Sequence, residues 1–192
     1  MAILYDAELR PSKLELIAAW LPTQDWYDGP TEPRLDGVAS YRFDDPAGEV
    51  GIETHLVRTS DGVVIQVPLT YRGAPLAGAE QWLVGTMDHS VLGQRWVYDA
   101  VGDPVYTAAV TSVIDSNGTE AEQFVKSDEG LTRIPNTARV AGTGGGAANS
   151  GTVTVVRRPE SGRQEASGPR LEGRWDGLHE PVLLVVMSEA SV

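Results

Sequence analysis

The 192-residue chain carries 27 Asp and Glu against 15 Lys and Arg, a formal net charge of -12, and 41% of its residues are hydrophobic. That hydrophobic share suits one globular domain, or one domain with a small extension, while the negative field makes phosphate backbones and anionic lipid surfaces poor partners. The absence of cysteine excludes disulfides, thiolate nucleophiles, Cys-based zinc sites and iron–sulfur ligation.

The acidity is concentrated early: residues 1–141 hold 10 basic and 21 acidic side chains, residues 142–192 hold 5 and 6. The opening MAILYDAELRPSK has an acid at Asp6 and no basic run before a long apolar stretch, so it reads as neither signal peptide nor membrane span, and a cytoplasmic location is expected. Only two of the fifteen basic residues are Lys, a usage typical of GC-rich genomes such as those of actinobacteria.

Ala2 to Ala7 reads as a short strand. Ser12 and Glu15 form a capping box ahead of KLELIAAWL, with Leu14, Ile17, Ala18 and Leu21 at helical spacing and Pro22 as the stop. TQDWYDGPTEP is a loop holding Trp26 and Tyr27 between turn residues. From Leu35 the period changes to two. Val38–Phe43, Glu49–Thr59 and Val63–Tyr71 read as a three-stranded antiparallel meander, with turns at Asp45–Gly48 and at the Asp61–Gly62 hairpin signal. In the third strand the odd positions Val63, Ile65, Val67 and Leu69 are expected to face the core, and Pro68 marks a strand edge or bulge. Trp82–Val84 and Gln94–Tyr98 add strand or irregular structure.

Asp103 and Pro104 read as N-cap and first residue of a second helix, closed by SNGT. AEQFVKSDEG is expected to make one or two helical turns. GTGGGAANSG, residues 142–151, reads as a linker or loop. It lacks the Gly-Lys-Ser/Thr of a phosphate-binding loop, and the stretch after it is β-like. Thr152–Arg157, Leu171–Trp175 and Val182–Met187 are β-like pieces expected to extend the main sheet. The organisation expected is therefore an α+β domain over 1–141, a Gly-rich linker over 142–151 and a β extension over 152–192.

No constellation of residues points to catalysis. His55, His89 and His179 are far apart, no Gly-x-Ser-x-Gly elbow occurs, and Asp88, His89, Asp99 and Asp103 lack a metal-ligand spacing; Asp103 already has a role as a cap. No cofactor is implied. Trp26, Tyr27, Trp82 and Trp96 offer stacking faces for a sugar, with core packing as the plainer reading.

WLPTQDWYDG at 20–29, DDPAGEVGIETHLV at 44–57, VVIQVPLTYR at 63–72 and WVYDAVGDP at 96–104 resemble the N-terminal cap domain of actinobacterial maltokinases and related glucosamine kinases. The resemblance covers about the first 110 residues, and the remainder is similar to the C-terminal part of standalone cap-like proteins. It implies a curved antiparallel sheet with flanking helices, cystatin-like in topology. Where those kinases usually carry an arginine after the glutamine of the Trp-Leu-Pro segment and a basic residue after the following glycine, this chain has Asp25 and Pro30. The chain carries no His-x-Asp-x-x-x-x-Asn catalytic loop and no metal-binding Asp-Phe-Gly.

Together these readings give a non-catalytic interaction or regulatory module whose partner is a sugar kinase or an enzyme of α-glucan, trehalose or amino-sugar metabolism. Gln24, Trp26, Tyr27, Pro68 and Arg72 are the expected contacts. The alternative is a protein binding a sugar or sugar phosphate in the concave sheet face through Trp82, Trp96 and Arg95, with Arg42, Arg58 and Arg72 as further arginines able to cluster around a phosphate. An enzyme of unrecognised type ranks last.

Overall fold

The computed structural model describes residues 1–127, 130–144, 151–159 and 168–188. Two short strands, β1 (Ala2–Tyr5) and β2 (Leu9–Arg10), precede helix α1 (Lys13–Trp20). The capping box is present: Ser12 Oγ accepts the Glu15 amide, and the Glu15 carboxylate accepts the Ser12 amide at 2.8 Å. Two of the orphan donors at the helix start are thereby satisfied.

The meander follows as β3 (Leu35–Phe43), β4 (Gly51–Thr59) and β5 (Val64–Arg72). The Asp45 carboxylate accepts the amides of Ala47, Glu49 and Val50 and so builds the first turn, and Gly62 supplies the positive φ of 89° for the second. A hairpin of β6 (Leu83–His89) and β7 (Gly93–Asp99) completes an antiparallel sheet of order β2-β6-β7-β5-β4-β3. Helix α2 (Pro104–Asp115) starts at Asp103, whose carboxylate accepts the Val105 amide at 3.0 Å.

Pro68 lies in an interior strand. β7 pairs with β5 only from Leu69 onward, and the amide of Gln66 goes instead to the Arg157 carbonyl at 2.8 Å. Because alternate residues point their amides the same way, the imino nitrogen of Pro68 faces this changeover and no rung to β4 is lost.

Residues 121–127 are not helical. They include β8 (Gln123–Ser127), which runs parallel to β1 and pairs antiparallel with β9 (Gly130–Ile134). So short a polar run is too short to hold a helix by itself, whereas pairing with β1 satisfies its backbone directly. The C-terminal pieces also depart from expectation. β11 (Thr152–Val155), β12 (Arg170–Trp175) and β13 (Val182–Ser188) make a separate sheet with β10 (Ala138–Gly142), in the order β10-β12-β13-β11. The outer edge of β3 is already occupied: Thr137 Oγ1 accepts from the Ser40 amide and donates to the Ser40 carbonyl, and the Arg42 carbonyl accepts the Ala121 amide. An edge capped in this way offers no free ladder to another strand. Of the Gly-rich stretch, residues 145–150 lie outside the described residues.

The six-stranded sheet is buried on both faces. Ile65, Val67 and Leu69, odd positions as expected, pack with Ile17, Trp20 and Leu21 of α1 and its following turn. Tyr41, Phe43, Ile52 and Leu56 face the other way into a second core with Tyr106, Val110 and Ile114 of α2 and Leu171, Leu184 and Val185 of the C-terminal sheet. The chain is thus α+β, an antiparallel sheet with two short helices and added C-terminal strands.

Candidate functional site: a cationic cavity behind a buried carboxylate

Glu53 sits on the α1 face of β4 and is 4% exposed. The register places Arg42 of β3 directly opposite, with Arg42 Nη2 2.6 Å from Glu53 Oε2, and the capped first turn of α1 brings Lys13 Nζ to 2.5 Å from the same oxygen. His55, two residues along β4, lies 3.5 Å from that oxygen through Nε2, and this nitrogen is also 3.0 Å from the Tyr71 hydroxyl. Burial pushes the Glu53 carboxyl up, but Arg42, His55 and Lys13 outweigh it and hold it well below the usual carboxylate range. Burial, then the neighbouring Glu53 charge, push the Tyr71 phenol well above its ordinary value.

Lys13, Arg42 and Tyr71 form part of the wall of a cavity of about 510 Å³ roofed by β1 and lined also by His89 and Arg95. His89 Nδ1 accepts the amides of Val91 at 3.2 Å and Leu92 at 3.1 Å, which leaves Nε2 as the protonated nitrogen of a neutral ring. Burial, then Arg95 and Lys13, lower the His89 pKa and favour that neutral form. Arg95 Nη2 donates to the Leu92 carbonyl at 2.5 Å.

A second buried ion pair lies on β7, where Asp99, fully buried, accepts from Arg157. The Arg157 guanidinium stands 4.7 Å from the Trp26 ring centroid and 6.0 Å from that of Trp20. Asp99 Oδ1 and Arg157 Nη1 have no hydrogen-bond partner among the described residues. Burial pushes the Asp99 carboxyl up despite Arg157.

The expected contact residues are distributed between surface and interior. Gln24 is half-buried, its amide donating to Thr23 Oγ1 at 2.9 Å. Trp26 and Tyr27 are half-buried and packed edge-on, Trp26 against both Trp20 and Tyr27. Pro68 is buried, and Arg72 is bound through two 2.7 Å hydrogen bonds to Asp103. Of the expected ligand residues, Arg95 lines the cavity, whereas Trp82 and Trp96 are outside its lining; Trp82 packs so closely on Gly102 that a Cβ there would come within 2.1 Å of the ring. Among the arginines, Arg42 and Arg95 meet at the cavity, Arg58 is exposed and Arg72 serves Asp103.

Sequence reasoning missed Glu53, Lys13 and Tyr71. The face of β4 that carries Glu53 also carries His55 and Thr59, so no local pattern singles the carboxylate out. No group of three or more His, Asp or Glu among the described residues could hold a metal ion. Asp99 and Asp103 are committed to Arg157 and Arg72.

The geometry defines an α+β domain with a sizeable cavity on the α1 face of its main sheet. Residues 20–103, from the last residue of α1 to the N-cap of α2, match the maltokinase N-terminal cap domain. That domain is a non-catalytic part of maltokinase. No curated protein matches the chain.

Proposed function

We propose that the protein is a non-catalytic cap-like module that binds and regulates a sugar kinase or another enzyme of α-glucan, trehalose or amino-sugar metabolism in the cytoplasm. The observation that carries this reading is the match of residues 20–103 to the maltokinase cap. Gln24, Trp26 and Tyr27 form the proposed contact surface, while Arg72 fixes the junction of β5 with α2 and Pro68 the changeover between strand partners.

Copurification with the tagged full chain tests it, using Trp26→Ala and Gln24→Ala as matched controls. A sugar kinase or glucan enzyme should be enriched with the parent and reduced in both variants. Because Trp26 stacks on Arg157, each variant is first compared with the parent by circular dichroism, and Gln24→Ala decides if Trp26→Ala unfolds. Recovery of no such enzyme would sink the reading.

A second reading, binding of a sugar or sugar phosphate on the α1 face of the sheet, is supported by the cavity of about 510 Å³, a size within the range of about 300–1,000 Å³ usual for small-molecule sites.

A further inference from the structure

We propose that the cavity roofed by β1 takes a small phosphate monoester with a compact organic body, its phosphate held by Lys13, Arg42, Arg95 and His89. The proposal rests on the small-ligand reading and specifies its chemistry. The cavity wall carries a charge imbalance. Lys13 and Arg42 converge on a single carboxylate, Glu53, and Arg95 adds a third cation whose hydrogen-bond partner among the described residues is a backbone carbonyl. The acids in the lining are engaged elsewhere or face solvent: Asp44 pairs with the N-terminal ammonium, Asp45 is used by three amides of its turn, and Glu49 is exposed. The inner wall therefore holds more positive than negative charge in a protein whose net charge is -12. Charge excess in a partly desolvated site is unfavourable until an anion compensates it.

Two guanidinium groups, an ammonium and an imidazole N–H present donors from separate strands and from α1. That arrangement suits the three terminal oxygens of a phosphate better than the two coplanar oxygens of a carboxylate. His89 contributes as a neutral donor, because the two amides on Nδ1 fix the proton on Nε2. Away from this wall, Ile3, Leu9 and Met87 give an apolar surface for the body of the ligand.

The test is calorimetric titration of the full chain with glucose 6-phosphate and inorganic phosphate, against glucose, maltose and glucuronate, repeated with Arg95→Gln. Arg95 bonds only the Leu92 carbonyl among the hydrogen bonds of the described residues, so the melting temperature of the variant should equal that of the parent. The expected result is binding of the phosphorylated probes, weakened about tenfold or more in Arg95→Gln by loss of a charge-assisted hydrogen bond. The His89 ring nitrogen signals in ¹H–¹⁵N spectra should move on addition of glucose 6-phosphate, a readout that stands even if Arg95→Gln fails to fold. Glucose, maltose or glucuronate binding as tightly as glucose 6-phosphate would overturn the phosphate assignment and leave the small-ligand reading intact. Phosphate binding that leaves the His89 signals unmoved and Arg95→Gln unaffected would place the anion elsewhere. Silence from every probe would remove both.

Discussion

Glu53 on β4 and Asp99 on β7 are both buried carboxylates of one sheet, separated by β5 and both paired with arginine, yet their acidities move in opposite directions. Glu53 is held well below the ordinary value and Asp99 is raised. Both lose hydration on burial, so desolvation alone cannot separate them. The difference lies in charged partners: Glu53 has Arg42, Lys13 and His55, whereas Asp99 has Arg157 as its one cationic partner among the described residues. A single buried cation does not repay the desolvation of a carboxylate, and two with a polarised imidazole do. The pairs also join different parts of the chain. Glu53 fastens α1 to the meander, while Asp99 fastens the segment leaving β11 to β7 and, through Arg157, to the Trp26 loop.

The comparison is tested most severely by Glu53→Ala. Removing the carboxylate leaves the partly buried Lys13 and Arg42 without their counter-ion, and breaking a buried pair costs about 3–5 kcal/mol. Urea unfolding should show a loss in that range, and a loss below about 1 kcal/mol would mean that Glu53 is compensated by groups outside this cluster. Arg157→Ala should cost less, about 2–3 kcal/mol, although it removes both an ion pair and an aromatic stack. Asp99, already raised, can take up a proton and lose its charge, an escape unavailable to the two cations around Glu53. The loss in Arg157→Ala should consequently grow as pH rises above the ordinary carboxylate range, as keeping Asp99 ionised becomes unavoidable. A loss independent of pH would break the argument.

The pH dependence of the parent carries the same contrast with opposite signs. The folded pKa of Glu53 lies below its unfolded value, so its contribution is fully present above the unfolded value and is lost as pH falls through the folded one. For Asp99 the folded pKa lies above the unfolded value, so the native state binds the extra proton, and stability declines as pH rises from the unfolded value through the folded one. In Asp99→Asn this decline should disappear, leaving a stability profile that rises monotonically through the carboxylate range. Thermal melts across that range decide it; an unchanged profile would mean that Asp99 titrates normally.

What could be read from the sequence follows from how far apart the interacting groups are. The Ser12–Glu15 box, the Asp103 cap and the Asp61–Gly62 hairpin depend on contacts within a few residues, and all three form. Gln66 reads as the polar, outward side of β5, yet it is fully buried, because it accepts from Tyr41 and donates to the carbonyls of Val156 and Leu184, 90 and 118 residues away. The same distance hid β8, whose partner β1 is at the other end of the domain, and the second sheet, which covers a face that looked half polar. Of the candidate site, Arg42 and Arg95 were visible as arginines able to cluster, but Glu53, which draws Lys13 and Arg42 together, has no local signature in the sequence.

Arg158 and Asp28 give the smallest expected effect and complete the series. This pair lies next to Arg157 in sequence and joins the same two segments, the exit from β11 and the Trp26 loop, through a two-pronged contact. Its carboxylate is largely exposed, and the hydrogen bonds from Arg158 are the main cause of its lowered pKa. Water solvates both charges when the contact opens, so neither is stranded, and salt screens what attraction remains. Asp28→Asn should leave the melting temperature within experimental scatter at 0.15 M salt, while Asp99→Asn, one residue removed along the same clasp, alters the pH profile. If Asp28→Asn destabilised the protein as much as Arg157→Ala, burial and partner number would not be what distinguishes these pairs, and the clasp would have to act as one cooperative unit.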